Sequence, residues 1–342
     1  MYFKSDNTSP VCPEMMQAII DANNGYFMPY GADDLSLKLK SAYSDLFETN
    51  VTIFPVLTGS AANCLALSVI TPPYGIIYAH SESHIYTDEC GAPGFYTRGA
   101  KIEPIEGEQG KICPKELKKR LSKAGFGNVH ASQPAMVTVT QLTELGTIYS
   151  LDELKEISDI AHFYGLPVHM DGARFANAVA TLNVSPKKAS LDSGIDILSL
   201  GVTKNGAMAA EAVLFFNEEH VKDFAYRQKN AGHLLSKMRF VSAQLLAYVK
   251  DDLWLRNAEK ANFMAQKLSE GLVSSGKAKI LYPVQGNELF VEMDHMLLCH
   301  LEAKGAQFYR WPNTESTIIR LVTSFSTNLE DVHQFLNLVH TF

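Results

Sequence analysis

The sequence contains few cysteines, no long apolar run and no cluster of basic residues, and each absence excludes a class of protein. The five cysteines form no Cys-x-x-Cys pair and no His/Cys cluster, which argues against a zinc or redox site. Reduced thiols in a cytoplasmic protein are the simpler interpretation. No apolar stretch approaches the ~18 residues of a membrane-spanning helix, and the first ten residues lack the basic and apolar regions of a secretory signal.

The charge and length of the chain narrow its partners further. The formal net charge is −7 and no run of Lys or Arg is present, so neither nucleic acid nor an anionic membrane is an expected partner. With 342 residues, 46% of them hydrophobic and 20% charged, the chain is long enough for two domains. We expect a small-molecule ligand and no metal site.

Short apolar runs alternate with helical patterns between about residues 50 and 216, which predicts an α/β fold with a large, mainly parallel sheet. One of the helices opens with a capping box, in which Ser150 is the N-cap and Glu153 follows three residues later, and it ends before Gly165. The predicted strands lie at residues 75–80, 101–105, 135–142, 166–170, 196–201 and 212–216.

The pattern changes after residue 217, where a long helical region (218–276) precedes further strands and helices. We expect a large domain over residues 21–250 and a smaller C-terminal α/β domain over residues 251–342. An N-terminal segment, residues 1–20, is expected to pack on the smaller domain. The boundary near residue 250 falls inside the helical region, and no flexible linker marks it.

Three segments place polar residues at the carboxyl ends of predicted strands, where ligands bind in open parallel sheets. In "VLTGSAANCLAL", an apolar run leads to Thr58, Gly59 and Ser60, and a helix follows. The free N–H groups of a helix start, the space beside the glycine and the serine hydroxyl can form a phosphate cup. A plain helix N-cap is the more frequent role of an isolated Thr-Gly-Ser.

The other two segments end in an acid and an amine. Asp171 follows the strand-like run 166–170; it can cap the next helix or pair with Arg174, or it can bind a protonated pyridine nitrogen. Lys204 follows "DILSLG" and lies among small residues. It is either a surface residue on a turn or an amine inside a pocket that attacks a carbonyl carbon.

The order and spacing of the three segments are more informative than any one of them. The cup comes first, Asp171 follows, and Lys204 stands 33 residues after Asp171. One ligand requires all three groups: pyridoxal phosphate, which carries a phosphate, a ring nitrogen and an aldehyde. We therefore predict pyridoxal 5′-phosphate as the cofactor.

Several segments resemble, in the same order, those of the low-specificity L-threonine aldolases, in the aspartate-aminotransferase-like group of pyridoxal-phosphate enzymes. They are "FKSDNTSP", "LTGSAANCLAL", "AHSESHIYTDECGAP", "VHMDGARFANA", "LGVTKNG", "YRQKNAGHLLSKMRF" and "IIRLVTSF". The resemblance implies the aspartate-aminotransferase-like fold and a homodimer or homotetramer. It also implies retro-aldol cleavage of L-threonine or L-allo-threonine to glycine and acetaldehyde, with broad specificity for β-hydroxy-α-amino acids.

The resemblance assigns roles to residues of this sequence. Lys204 would bond covalently to the cofactor, Asp171 would hold its ring nitrogen, and both would be catalytic. His84 of "SESHIY" would stack on the ring and take part in catalysis, although a structural histidine between two strands is the alternative. The residues that would bind the phosphate are Thr58, Gly59, Ser60 and Thr203.

A second set of residues would bind the substrate or the cofactor of a neighbouring subunit. Arg174 would face the cofactor or the substrate carboxylate, and Ser5 matches a family serine near that carboxylate. Arg320 lies amid apolar residues on a predicted strand, where an unpaired charge is costly, and the substrate carboxylate would supply its anion. Arg227 and Lys229 fall in a segment that reaches a neighbouring subunit's cofactor in relatives.

One position departs from the family pattern. Many relatives have Glu-Asn-Thr-His-Asn after the middle strand, whereas this chain has "QLTELG", with Glu144 where they have histidine. That histidine is a candidate for reading or deprotonating the substrate β-hydroxyl. Glu144 could take over this role at the substrate if burial raised its pKa, or it could be a solvated loop residue.

Other activities on the same scaffold stay open because a fold does not fix a reaction. A phenylserine-type aldolase, a pyridoxal-phosphate-dependent β-eliminating lyase and an aminotransferase are the alternatives. A nicotinamide dehydrogenase would require Gly-x-Gly-x-x-Gly after an early strand, which "LTGSAAN" does not supply.

Overall fold

Two sheets, each covered by helices, organise the chain in the computed structural model, which describes residues 1–342. The α-helices are, in chain order, α1 (Pro13–Ala22), α2 (Asp34–Leu46), α3 (Gly59–Ile70), α4 (His84–Thr87), α5 (Ala92–Tyr96), α6 (Pro114–Lys123), α7 (Leu151–Phe163), α8 (Phe175–Leu182), α9 (Phe224–Asn230), α10 (Arg239–Val249), α11 (Leu253–Ser275), α12 (His295–Ala303) and α13 (Leu329–Thr341). The strands are β1 (Thr52–Val56), β2 (Gly75–His80), β3 (Lys101–Ile105), β4 (Gln133–Thr140), β5 (Val168–Gly172), β6 (Ile197–Gly201), β7 (Glu211–Phe215), β8 (Ala278–Ile280), β9 (Glu288–Met293), β10 (Tyr309–Arg310) and β11 (Ile318–Val322).

Strands β1 to β7 form one sheet in the order β1-β7-β6-β5-β4-β2-β3. All six predicted strands are present, with ends that differ by at most two residues. The neighbouring pairs among β2 to β6 are parallel, and β7 runs antiparallel to both β6 and β1. Because residues 202–210 provide no crossover helix between β6 and β7, the chain returns antiparallel. The expected mainly parallel α/β sheet is confirmed.

Strand β1 is the one strand of this sheet that the sequence pattern does not predict. Pro55 lies within it, and proline cannot donate a ladder hydrogen bond. The strand tolerates proline because it lies at the edge of the sheet, paired only with β7. The Pro55 carbonyl oxygen accepts a hydrogen bond from Gln228 Nε2 at 2.7 Å.

Apolar residues on successive positions of each central strand pack against helices on opposite faces of the sheet, as strand geometry requires. On one face, Val137 and Leu198 belong to a core that includes residues of α1, α2, α7 and α10. On the other face, Met136 and Ile197 belong to a core that includes residues of α3 and α9. This arrangement buries β4, β5 and β6, and the polar residues inside them, Thr138, His169 and Ser199, hydrogen-bond to one another.

Helix α7 connects β4 to β5 and has the ends that the sequence predicts. Ser150 Oγ accepts from Glu153 N at 3.2 Å, and Ser150 N donates to Glu153 Oε2 at 2.7 Å, which completes the capping box. Gly165 follows the helix with φ 73°, a conformation that favours glycine. The chain then enters β5, which delivers Asp171 to the carboxyl edge of the sheet.

The smaller antiparallel sheet has the order β10-β11-β9-β8 and packs against α11, α12 and α13. Phe3 is buried in this second core; its amide N donates to Gln307 O and its carbonyl O accepts from Val322 N, both at 2.8 Å. In contrast, Cys12 and Met15 belong to the core of the large sheet. The predicted N-terminal segment, 1–20, thus contacts both units, and only its first residues lie on the smaller sheet.

The predicted helical region 218–276 is interrupted in the structure. Helix α10 ends at Val249, and α11 begins at Leu253 after Asp251 and Asp252, which have φ values of 52° and 53°. Residues of α11 then contribute to both cores, near its start to the first and further along to the second. The exact limits of the two domains stay a prediction. No helix combines the length and apolar composition needed to cross a bilayer.

Candidate active site

A cavity of about 420 Å³ lies at the carboxyl edge of the large sheet. Nine of the residues that the sequence singles out line it together: Thr58, Gly59, Ser60, His84, Glu144, Asp171, Arg174, Thr203 and Lys204. Four others do not line it: Ser5, Arg227, Lys229 and Arg320. The sequence pattern therefore predicts which residues meet at the cavity, although these nine residues come from five separate segments of the chain.

The start of α3 forms one wall of the cavity. Thr58 is the N-cap, and its side-chain Oγ1 accepts from Ala61 N at 3.2 Å. The first N–H groups of a helix have no partner within it, so the N–H groups of Gly59 and Ser60 stay available to a ligand. A Cβ placed on Gly59 would meet nothing within 4 Å. This end of the helix can hold an anion such as a phosphate.

Asp171 lies at the end of β5 and is almost completely buried. Its Oδ2 accepts from Asn63 Nδ2 at 2.7 Å, and its Oδ1 accepts from Ala173 N at 3.0 Å. Neither alternative role is observed, because Arg174 pairs with other acids and the N-cap position of α8 is Arg174 itself. Asp171 is thus an acceptor held at the floor of the cavity.

Lys204 lies in a short 3-10 turn three residues after β6. This turn comes close to the end of β5, because a Cβ on Gly201 would lie only 2.4 Å from Ala173 O. On the other side, Glu211 Oε2 accepts from Val202 N at 2.6 Å. Burial raises the pKa of Glu211 to about 7. The glycine and the glutamate together fix the turn that brings Lys204 into the cavity that Asp171 lines.

His84 belongs to a buried hydrogen-bonded network that sequence reasoning missed. Its Nδ1 lies 2.9 Å from Glu89 Oε1, and this hydrogen bond raises the pKa of His84. Asn63 Nδ2 donates to the same Glu89 oxygen at 3.0 Å and to Asp171. Asn63 is a polar residue in an otherwise apolar stretch of α3, "AANCLAL", and that contrast was the available signal.

Glu144 lies on the loop after β4, is partly buried and lines the cavity, which favours a role at the cavity over that of a solvated loop residue. Its Oε1 accepts from His84 N at 2.7 Å and from Thr140 Oγ1 at 2.9 Å. Its Oε2 is buried and has no hydrogen-bond partner in the chain. Burial, with a smaller contribution from the negative charge of Asp171, raises the pKa of Glu144 to about 7.

Two arginines lie on one side of the cavity with acids of their own. Arg174 pairs with Asp6, and its Nη1 lies 3.2 Å from Glu288 Oε2. The guanidinium of Arg320 lies 5.5 Å from the ring centres of both Tyr309 and Trp311. Its Nη1 is 4.0 Å from Glu288 Oε1. Arg320 therefore has an acid nearby within the chain, which the sequence did not predict, and its contact with a substrate carboxylate stays a prediction.

Arg320 nevertheless keeps unused hydrogen-bonding capacity. Its Nε is buried and has no acceptor, and neither carboxylate oxygen of Glu288 accepts a hydrogen bond. An incoming carboxylate would offer Arg320 two well-placed acceptors. The side chain is suited to an anionic ligand even though it does not line the cavity.

Three further candidates lie outside the cavity. Ser5 caps a 3-10 helix and accepts from Asn7 N at 3.2 Å, while Asn7 itself lines the cavity. Arg227 has a buried Nε without an acceptor, and burial together with the charge of Arg98 lowers its pKa. The Nζ of Lys229 lies 4.5 Å from the centre of the Tyr30 ring. No group of three or more acidic, histidine or cysteine side chains is arranged to hold a metal ion.

The large mixed sheet, the smaller C-terminal sheet and the pocket that joins Asp171 to Lys204 define an enzyme with the aspartate-aminotransferase-like fold of pyridoxal-phosphate enzymes. The chain belongs to the beta-eliminating lyase family, whose family model matches residues 2–296.

Named relatives cover nearly the whole chain. The chain is 39% identical to the low specificity L-threonine aldolase of Pseudomonas aeruginosa, over 97% of this chain and 95% of that protein. It is 41% identical to the enzyme of the same name from a Pseudomonas species, over 90% and 88% of the two chains. The structure is similar to that of Leishmania major threonine aldolase, with a TM-score of 0.93, 25% identity and coverage of 100% and 99%.

Proposed function

We propose that the protein is a pyridoxal-phosphate-dependent lyase that cleaves L-threonine and L-allo-threonine to glycine and acetaldehyde, with breadth for other β-hydroxy-α-amino acids. One observation carries the proposal: a buried carboxylate, an amine and the N-terminal end of a helix line a single cavity. The names of the Pseudomonas and Leishmania relatives support the reaction.

The donors and acceptors of the cavity fit pyridoxal phosphate. Gly59 and Ser60 offer N–H groups to the phosphate, and the space above Gly59 leaves room for it. Asp171 offers a carboxylate to the ring nitrogen, and a charge-assisted hydrogen bond there keeps that nitrogen protonated. Lys204 offers the amine for the aldehyde. When bound, this group supplies the capacity to accept the electron pair of the bond that breaks.

The chain's own residues orient the amino acid. Arg174 and Arg320 bind the α-carboxylate. Ser5 lies next to Asp6, which forms an ion pair with Arg174. A fixed carboxylate directs the Cα–Cβ bond toward the position in which its electron pair can leave Cβ. The ring of His84, held by Glu89, lines the space where the cofactor ring would lie.

The cofactor is tested before the reaction. Purified protein should absorb in the visible range, and borohydride followed by peptide mapping should locate a cofactor adduct at Lys204. The Lys204→Ala variant should bind pyridoxal phosphate without forming the adduct. An adduct on another lysine would contradict the assignment of Lys204. If wild-type protein with added cofactor forms no adduct on any lysine, the prediction of pyridoxal phosphate as cofactor is wrong.

The reaction is tested by product analysis with threonine, allo-threonine and phenylserine. Glycine and the matching aldehyde in equal amounts are expected. Ammonia with a keto acid would identify a β-eliminating lyase instead, and transfer of the amino group to a keto acid would identify an aminotransferase. A rate for phenylserine far above the rate for threonine would identify a phenylserine-type aldolase.

We also propose that the active form is a homodimer or a dimer of dimers. The stretch from Tyr26 to Tyr30 exposes several large apolar side chains, and Met208 of the cavity is half exposed. Arg227 and Lys229 lie outside their own chain's cavity, in accord with a role at a neighbouring subunit's cofactor. The five cysteines are all free thiols, in accord with a cytoplasmic protein.

Mixing inactive variants tests this assembly. If Arg227 completes the partner's site, a mixed dimer of Lys204→Ala and Arg227→Ala chains contains one intact site. If the chains pair at random and each variant alone is fully inactive, refolding the two variants together should restore activity to about a quarter of wild type. No recovery, although light scattering shows a mixed dimer, would contradict the shared site. A monomer by light scattering would contradict the assembly.

A further inference from the structure

The loop after β4 holds a carboxylate that has one oxygen engaged and one oxygen free. Glu144 Oε1 accepts from His84 N at 2.7 Å and from Thr140 Oγ1 at 2.9 Å. These two bonds come from different elements, so they fix the position of the carboxylate. Oε2 is buried, has no partner, and belongs to a residue that lines the cavity. A buried oxygen without a donor is expensive, which points to a donor that arrives with the ligand.

From this geometry we propose that Glu144 Oε2 accepts the proton of the substrate β-hydroxyl and is the catalytic base of the cleavage. The inference rests on the proposed function, since it requires a β-hydroxy-α-amino acid in the cavity. The substrate hydroxyl would supply the hydrogen-bond donor that Glu144 Oε2 lacks. The proposal also assigns a residue to the deprotonation of the hydroxyl, at a position where many relatives have histidine and this chain has glutamate.

The proton and electron changes balance without a further reactant. The O–H bond breaks and its proton moves to Glu144 Oε2, while the O–H electron pair becomes the second bond of the aldehyde carbonyl. The Cα–Cβ bond breaks and its electron pair stays with Cα. A proton then adds to Cα to give glycine, and Glu144 returns its proton to solvent. Threonine thus yields one glycine and one acetaldehyde with no oxidation or reduction.

Most of the other ionisable groups of the cavity have hydrogen-bond partners within the chain. His84 Nδ1 lies 2.9 Å from Glu89 Oε1, and this hydrogen bond raises the pKa of the ring. Asp171 accepts from Asn63 and Ala173. Glu211 lines the cavity at the lysine turn, and its Oε2 accepts from Val202 N. Among the carboxylates that line the cavity, Glu144 is the one with an oxygen that is buried and has no hydrogen-bond partner.

The surroundings of Glu144 tune it for proton transfer near neutral pH. Burial and, to a smaller extent, the charge of Asp171 on β5 raise its pKa, the hydrogen bonds from His84 N and Thr140 oppose the rise, and the net result is a pKa of about 7. Arg174 and the buried Tyr149 are the other titratable groups whose pKa the charge of Glu144 affects. A base must be deprotonated to act, so the rate of cleavage should increase as pH rises through about 7.

The test compares Glu144→Gln with wild type in three measurements. The variant keeps the size and one oxygen of the side chain but cannot accept the proton. Its kcat for threonine should fall roughly 10²- to 10⁴-fold, the range expected for loss of a general base, and the pH dependence near 7 should disappear. Binding of L-2-aminobutyrate, which is threonine without the hydroxyl, should stay within about threefold when followed by the absorbance of the bound cofactor.

Exchange of the glycine α-hydrogen with deuterium oxide provides the third measurement. This reaction uses the cofactor and Lys204 but no β-hydroxyl, so Glu144→Gln should retain it. The exposed Glu82, two residues before His84, offers a matched control: Glu82→Gln should leave all three measurements unchanged. A second variant, Glu144→His, replaces the carboxylate with another base and should recover at least part of the cleavage.

Two results would overturn the inference. One is cleavage by Glu144→Gln within about threefold of wild type. The other is an equal loss of glycine exchange, cleavage and 2-aminobutyrate binding, which would indicate damage to the cofactor site. Failure of wild type to release glycine from any β-hydroxy amino acid is a separate outcome and would contradict the proposed function itself.

Discussion

Asp6 and Arg174 form a two-point ion pair that joins the N-terminal segment to the end of β5. Asp6 Oδ2 lies 2.7 Å from Arg174 Nε, and Asp6 Oδ1 lies 3.1 Å from Arg174 Nη2. Asn287, just before β9 of the smaller unit, donates from Nδ2 to the same Asp6 Oδ2 at 3.1 Å. A single buried carboxylate therefore links the N-terminus, the large sheet and the smaller sheet beside the cavity.

Replacement of Asp6 by asparagine should weaken both the fold and the hold on substrate. The change leaves the buried guanidinium of Arg174 without its closest counter-charge, which costs about 3 kcal/mol in a buried pair. Arg174 would also lose the contact that orients it toward the cavity. Chemical unfolding should show the lower free energy, and KM for threonine should rise more than kcat falls.

The exposed pair of Glu14 and Arg256, 3.8 Å apart, provides the control for Asp6. Glu14→Gln should change the unfolding free energy by less than about 1 kcal/mol, and an equal effect of both variants would contradict the special role of the buried pair. The pH dependence gives a second check. Burial raises the pKa of Asp6, but Arg174 and Lys204 lower it by more, to below its ordinary value of 3.8. The stabilisation is thus present above pH 3.8 and lost as pH falls further.

Two glycines near the cavity should respond differently to alanine. A Cβ on Gly59 meets nothing within 4 Å, and alanine is at least as compatible with a helix as glycine. Gly59→Ala should keep the unfolding free energy of wild type. The new methyl group would nevertheless occupy the anion end of the cavity, so the affinity for pyridoxal phosphate should fall by roughly tenfold.

Gly201→Ala is the contrasting variant, because its Cβ would lie 2.4 Å from Ala173 O and the two backbone segments must separate. The unfolding free energy should fall by about 1–3 kcal/mol, and the adduct at Lys204 should form more slowly. Cofactor titration and chemical unfolding of both variants separate the two effects. Unchanged cofactor affinity in Gly59→Ala would contradict the assignment of the phosphate cup.

Loss of the negative charge at Asp171 should reduce turnover without unfolding the protein. Asparagine can still interact with Asn63 and Ala173, but it cannot keep a pyridine nitrogen protonated. We expect a fall in kcat of about 10²- to 10³-fold, as for removal of other charges that stabilise a transition state. Asp192→Asn, at an exposed position, is the control. Near-normal turnover in Asp171→Asn would contradict its contact with the ring nitrogen.

Local signals in the sequence predict most of the large sheet, because buried parallel strands appear as short apolar runs between capped helices. The capping box at Ser150 and the strand that ends at Asp171 are both present as expected. Strand β1 is missed because Pro55 argues against a strand, and only the tertiary position at the sheet edge explains its presence.

The groups that act directly at the cavity are easier to predict than the groups that hold them. Asp171 and Lys204 end their segments and can be read locally. Asn63 and Glu89 act by bridging α3 to the segment of His84, a contact between residues 26 positions apart along the chain. Glu288 beside Arg320 likewise depends on the pairing of β9 with β11. Such pairings follow from tertiary packing, which local patterns do not encode.

His169, two residues before Asp171, should make the fold sensitive to mild acid. Its ring is fully buried, with Nδ1 2.7 Å from Thr138 Oγ1 and Nε2 2.8 Å from Ser199 Oγ. Burial lowers its pKa from 6.5 to about 4. The ring therefore becomes protonated near pH 6.5 in the unfolded chain but only near pH 4 in the folded chain. The free energy of unfolding decreases as pH falls from 6.5 to 4, because only the unfolded chain gains the proton in that range.

Between pH 7 and pH 5 this single group should remove about 2 kcal/mol of unfolding free energy. His169→Gln keeps a polar side chain that does not titrate, so its unfolding free energy should decline less over the same interval, whatever its absolute value. His130→Gln, at an exposed position, should decline as wild type does. Urea unfolding at pH 7, 6 and 5 gives the three slopes, and parallel slopes for wild type and His169→Gln would show that the ring is protonated in the folded protein.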